Sequence, residues 1–147
     1  MNLNLPPRLL EQIEVEARRA FPRECCGLIE GVWQDGLAHA LAVHPAPDGE
    51  TNLFAIDPGV HFTAVKAARA NGHALIGCYH SHPGGMPRPS DADRKGASEA
   101  NFLWLIAALE TAAARPVLQA WHYSGGDFSE IGWATGADLV TSSSNTR

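Results

Sequence analysis

His80-Ser81-His82-Pro83, followed across Gly84-Gly85-Met86-Pro87-Arg88-Pro89 by Ser90-Asp91-Ala92-Asp93, decides how this chain is read. On an extended strand side chains alternate between faces, so His80 and His82 project together and Ser81 points the other way. Pro83 cannot donate to a sheet ladder and ends the strand. The Gly/Pro run then turns the chain back. Ser90-Asp91-Ala92-Asp93 reads as a helix start, with Ser90 as the cap and Asp93 in the first turn facing the histidines. Two imidazoles and one carboxylate leave a tetrahedral zinc one open position for water, the arrangement of a catalytic site. The expected metal ligands are therefore His80, His82 and Asp93, holding one zinc ion per chain.

Working outward, Ala74 to His82 is an apolar strand that carries the histidines. Upstream, Leu9, Leu10, Ile13, Ala17 and Ala20 recur at helical spacing over 8–21, and Pro22 stops that helix. Strands are expected over 25–33 and 37–43, joined by an Asp35-Gly36 hairpin turn. Pro45 to Gly49 reads as a loop, 53–56 as a short strand, and Asp57-Pro58 as the entry to a helix over 61–70 that ends at Asn71-Gly72. Downstream, a helix is expected over 90–100 and strands over 102–109, 116–123 and 128–134. Leu103-Trp104-Leu105-Ile106 is apolar on both alternating faces, the mark of a central strand. A single domain is expected over 1–136, with a flexible polar tail over 137–147.

At 147 residues one domain of this size buries about 68–70% of its unfolded surface. Hydrophobic content of 45% and charged content of 18% belong to a globular chain. A net charge of −5 argues against a nucleic-acid partner, which needs a basic face. No stretch reaches the length of a membrane span, and Met1 to Leu10 lacks the pattern of a signal peptide. Three cysteines, two of them adjacent, do not make a disulfide framework. These features point to a reduced, cytoplasmic setting. Cys25, Cys26 and Cys78 read as compact buried hydrophobes, and Trp104, Trp121 and Trp133 as core.

A water activated at a metal also needs a group that takes its proton and hands it to a leaving amine. Glu24, Glu30 and Asp57 are the carboxylates beside apolar segments. Glu24 lies at a helix–strand junction, next to Cys25-Cys26-Gly27, whereas Glu30 sits mid-strand beside Gly31 and is expected in solvent. These grounds do not separate the three. Pro22-x-Glu24-x-Cys26-Gly27-Leu28-Ile29, with Gly77-x-Tyr79-His80-Ser81-His82-Pro83 and Ser90-x-x-Asp93, resembles the JAMM metallopeptidases of the Mov34/MPN family. Phe54-x-Ile56-Asp57-Pro58 resembles bacterial members, and the likeness runs from Leu9 to Ala134.

That resemblance implies an α/β fold, a curved mixed β-sheet flanked by helices in a cytidine-deaminase-like JAMM/MPN architecture. It implies that the residues matching His80, His82 and Asp93 ligate zinc. The residue matching Glu24 is then the general acid/base, and the one matching Ser90 helps to stabilise the oxyanion. It further implies hydrolysis of peptide or isopeptide bonds at the C-terminal tail of a ubiquitin-like or sulfur-carrier protein. A phage-tail-assembly-type peptidase and a non-catalytic MPN-type interaction module are the competing readings. A zinc nucleobase deaminase is excluded, because its Pro-Cys-x-x-Cys ligand pair is missing.

Overall fold

Asp35 and Gly36 both adopt positive φ, 53° and 76°, the geometry that an Asp-Gly hairpin turn requires. They join β2 (Cys26–Gln34) to β3 (Leu37–Pro45) as an antiparallel pair. The structure, a computed structural model, describes residues 2–47, 58–97 and 101–136. The other edge of β2 pairs antiparallel with β4 (Ala74–Pro83), and β4 runs parallel to β5 (Phe102–Leu109). Antiparallel pairings then add β6 (Val117–Ser124) and β7 (Asp127–Ala134).

The mixed sheet is as expected, but its curvature runs to closure. β1 (Asn2–Asn4) pairs in parallel with both β3 and β7, closing a barrel of order β1-β3-β2-β4-β5-β6-β7. Three residues are too few to display an alternation, so sequence reading passed over β1. Its pairing removes both sheet edges at once.

The helices lie on opposite faces. α1 (Pro7–Ala20) starts with proline in its first turn and buries Leu9, Leu10, Ile13 and Ala17. It touches β3 and β5, strands that are not neighbours, and so lies on the concave face. Each large aliphatic buried there contributes about 1.5–3 kcal/mol. α2 (Pro58–Ala70) covers β2 and β4 from outside, where Ala64 packs with Leu28, Cys78 and Trp104. α3 (Asp91–Gly96) is shorter than expected, because Ala97 turns extended while its N–H still bonds the Asp93 carbonyl. No helix among the described residues is long and apolar enough to cross a membrane. The strand expected over 53–56, Asp57 and the tail over 137–147 lie outside the described residues.

One irregularity sets the phase of β4. The register with β2 shifts between Ile29, opposite Gly77, and Glu30, opposite Leu75, leaving Ile76 as an extra residue. Ile76 and Tyr79 both join the inner core, whereas Cys78 joins the outer cluster under α2. The bulge thus re-aims the even-numbered residues beyond it, His80 and His82 among them, away from the inner core.

Glu30 corrects an expectation. It is 2% exposed rather than solvated, because both faces of β2 are covered at that level. His73 Nδ1 and His44 Nε2 lie 2.6 and 2.9 Å from its two oxygens, and Asn71 donates at 3.2 Å. Burial pushes its carboxyl up, but these hydrogen bonds outweigh burial and hold it below its ordinary value.

Gly27 faces the ring of fully buried Tyr79, whose phenol donates to Glu16 Oε1 at 2.6 Å. A Cβ at 27 overlaps a ring that this bond holds in place. Gly27→Ala is therefore expected to cost about 1–3 kcal/mol in denaturant unfolding. An unchanged midpoint would contradict this packing.

Candidate metal centre

β4 delivers His80 and His82 to one face, two residues apart, and α3 brings Asp93 against them. His80 Nε2 lies 2.9 Å from His82 Nε2 and 3.2 Å from Asp93 Oδ2, and His82 Nε2 lies 3.3 Å from the same oxygen. A tetrahedral ion about 2.0–2.1 Å from each ligand sets ligand–ligand edges of roughly 3.3 Å. The triangle already has that size. A divalent cation between them would take one lone pair from each atom, so that attraction to the ion replaces their mutual repulsion. Among the described residues this is the group of His, Cys, Asp and Glu side chains that can hold a metal.

Each donor is oriented by a second contact. His82 Nδ1 donates to the Met86 carbonyl at 2.8 Å, which assigns the proton to Nδ1 and leaves Nε2 as the ligand atom. Ser90 caps α3, its Oγ accepting from Asp93 N at 3.0 Å while Asp93 Oδ2 accepts from Ser90 N at 2.8 Å. The box that starts the helix is thus the device that aims the carboxylate. His80 is buried edge-on against Trp104, with ring centroids 5.7 Å apart, and its Nδ1 has no protein partner among the described residues.

Burial alone would raise the Asp93 carboxyl. The hydrogen bonds and charges of His80 and His82, with the Ser90 amide, instead hold it well below the usual carboxylate range. For His82, burial lowers the imidazole. The Asp93 hydrogen bond, the Met86 carbonyl and the charges of Asp93 and Glu24 outweigh burial and raise it.

Glu24 follows the turn in which Arg23 N bonds the Ala20 carbonyl. The next residue is latched to β4: Cys25 N donates to Ser81 Oγ at 2.8 Å, and Ser81 N to the Cys25 carbonyl at 3.0 Å. Cys26 then pairs with His80. Although Glu24 as a residue is exposed, crowding of its carboxyl raises it, the His80 and His82 charges pull it down, and Asp93 raises it further. It borders a groove of about 720 Å³ between α1 and the Pro45–Pro47 segment, lined also by Glu16, Arg19 and Cys26.

The expected ligands therefore converge, with Glu24 beside them and Ser90 exposed at the helix start. Asp91 is exposed and outside the triangle. Glu30 belongs to its own cluster. The three cysteines are free and buried, and burial pushes the Cys25 thiol up to about 12 and the Cys78 thiol well above its ordinary value, so neither is a ready ligand. Sequence reading assigned no role to Ser81 or to the Met86 carbonyl. Ser81 was legible as the odd-parity residue inside the motif. The carbonyl left no signal, since any residue supplies one.

Residues 6–123 match the family model described as prokaryotic homologs of the JAB domain. The chain belongs to that family. A relative named desampylase, from Haloferax volcanii, is 29% identical over 114 residues, covering 75% of this chain and 76% of that protein. Another, named probable TtuB-protein conjugate cleaving protease, from Thermus thermophilus, is 35% identical over 96 residues, covering 65% of this chain and 63% of that protein. A solved structure of a Desulfitobacterium hafniense protein superposes with a TM-score of 0.75 at 30% identity, covering 91% of this chain and 92% of its own.

A protonated His82 cannot ligate. Affinity for a divalent metal is therefore expected to fall as the pH drops through the raised pKa of His82, by about tenfold per pH unit once His82 is protonated. Chelator competition across that range measures it, and a pH-independent affinity would remove His82 from the ligand set.

Proposed function

We propose that this chain is a zinc-dependent peptidase and isopeptidase that cuts at the C-terminal tail of a ubiquitin-like or sulfur-carrier protein, trimming a precursor or releasing a conjugated modifier. The observation that carries the reading is the convergence of His80 Nε2, His82 Nε2 and Asp93 Oδ2 beside Glu24. The names of the two relatives support the substrate class. The reading includes a cytidine-deaminase-like layering of sheet and helices and a cytoplasmic setting that keeps the cysteines reduced.

His80, His82 and Asp93 are the residues that would hold the ion, and zinc suits two imidazoles and a carboxylate with one position open. When bound, zinc supplies a Lewis acid for the scissile carbonyl and lowers the pKa of water to about 7. Glu24 accepts the proton of the attacking water on its carboxylate and returns it to the departing amine. Its raised pKa brings it closer to neutral pH, where an acid/base group works in both directions. The Ser90 hydroxyl uses an acceptor position for the Asp93 amide, and its proton donates to the oxyanion that develops on the carbonyl. Ser81 holds the Glu24 junction against β4, so that the base and the ligands keep their spacing.

Zinc-loaded protein incubated with a ubiquitin-like protein carrying an extension beyond its terminal Gly-Gly is expected to release that extension, read by mass spectrometry. Chelation abolishes release and added zinc restores it. Glu24→Gln is expected to keep the metal and to cleave about 10²–10⁴-fold more slowly. Wild-type rates in that variant would remove Glu24 from the reaction. Cleavage surviving complete chelation would remove the metal, and zinc binding with no turnover would favour the interaction module.

A further inference from the structure

The loop that joins the two histidines to Asp93 is held by a strand that contributes no ligand. Trp121, on β6, donates its indole Nε1–H to the Pro87 carbonyl at 3.0 Å. The carbonyl one residue earlier, of Met86, receives Nδ1–H of His82 at 2.8 Å. Between these carbonyls lie only the two backbone torsions of Pro87, and its ring fixes one of them. Pinning the Pro87 oxygen therefore fixes the direction of the Met86 oxygen to within a single rotation.

We infer that Trp121 is a positioning residue for His82: through the Pro87 and Met86 carbonyls it holds His82 in the Nδ1–H tautomer that presents Nε2 to a metal. The inference rests on the metal-centre reading above. The Met86 side chain cannot do this work, since it is 58% exposed. The loop start is anchored elsewhere, by Gly84 N on the Leu109 carbonyl at 2.8 Å and Gly85 N on the His82 carbonyl at 3.2 Å, and neither bond reaches Met86 O. Trp121 is itself fixed, paired across the ladder with Trp104, which packs edge-on against His80. Two residues along the same face of β6, Tyr123 OH donates to the Ala97 carbonyl at 3.1 Å, just past the end of α3. One face of β6 thus grips both ends of the segment that carries Asp93.

Trp121→Phe keeps an aromatic ring and removes the donor. In the metal-free variant the ¹⁵N shifts of the His82 imidazole are expected to move from the Nδ1–H tautomer towards a mixture. Zinc affinity by chelator competition is expected to fall about tenfold, the lower end for partners outside the ligand set. Tyr123→Phe, whose bond lies beyond α3, is expected to leave the His82 tautomer unchanged. Should Trp121→Phe fail to fold, β-(3-benzothienyl)alanine at 121 replaces only the indole N–H by sulfur and gives the same readouts. An unchanged His82 tautomer, or an equal change in Tyr123→Phe, overturns the inference. Wild-type protein that binds no zinc sinks the metal reading instead, and the tautomer comparison, made without metal, still decides the role of Trp121.

Discussion

Three ligand-capable atoms held about 3 Å apart are the constraint around which this molecule is organised. Such a triangle needs each corner fixed in place. The chain does this with ordinary devices: strand alternation for the histidines, a helix cap for the aspartate, and a backbone carbonyl for the His82 tautomer. The spacing of the three corners matches the edges of a tetrahedral metal site.

The barrel serves that triangle in two ways. β4 sits between β2 and β5, so its backbone is bonded on both edges and cannot shift its register. β2 also brings in Glu24, because Cys26 pairs with His80 and the Ser81 latch secures the residue between them. Glu24 and the His80, His82, Asp93 group thus come from segments far apart in sequence but joined by one ladder. The groove beside α1 is bordered by Glu24.

Charge follows the same division of labour. Asp93, crowded by two imidazoles, stays ionised, whereas crowding pushes Glu24 the other way. The two carboxylates are thus moved apart by their environments, as the proposed roles of ligand and proton carrier require. The buried Glu30 cluster is a separate matter. It ties the end of α2 and the start of β4 to β2 through one carboxylate oxygen, and His44 of β3 through the other.

By itself the sequence determined the grouping of His80, His82 and Asp93, the cap, the hairpin and most of the strands and helices, because each rests on interactions between residues close along the chain. A two-residue period, a Ser-x-x-Asp box and an Asp-Gly turn are local signals, and a family resemblance singled out Glu24 among three carboxylates. Only the tertiary structure decided barrel closure through Asn2–Asn4, the burial of Glu30, the Ser81 latch and the hold of Trp121 on the Pro87 carbonyl. Each of these depends on a partner supplied by a distant strand or by a backbone carbonyl, and neither leaves a periodicity to read. The bulge that re-aims β4 belongs with them, since a register shift exists only once two strands have met.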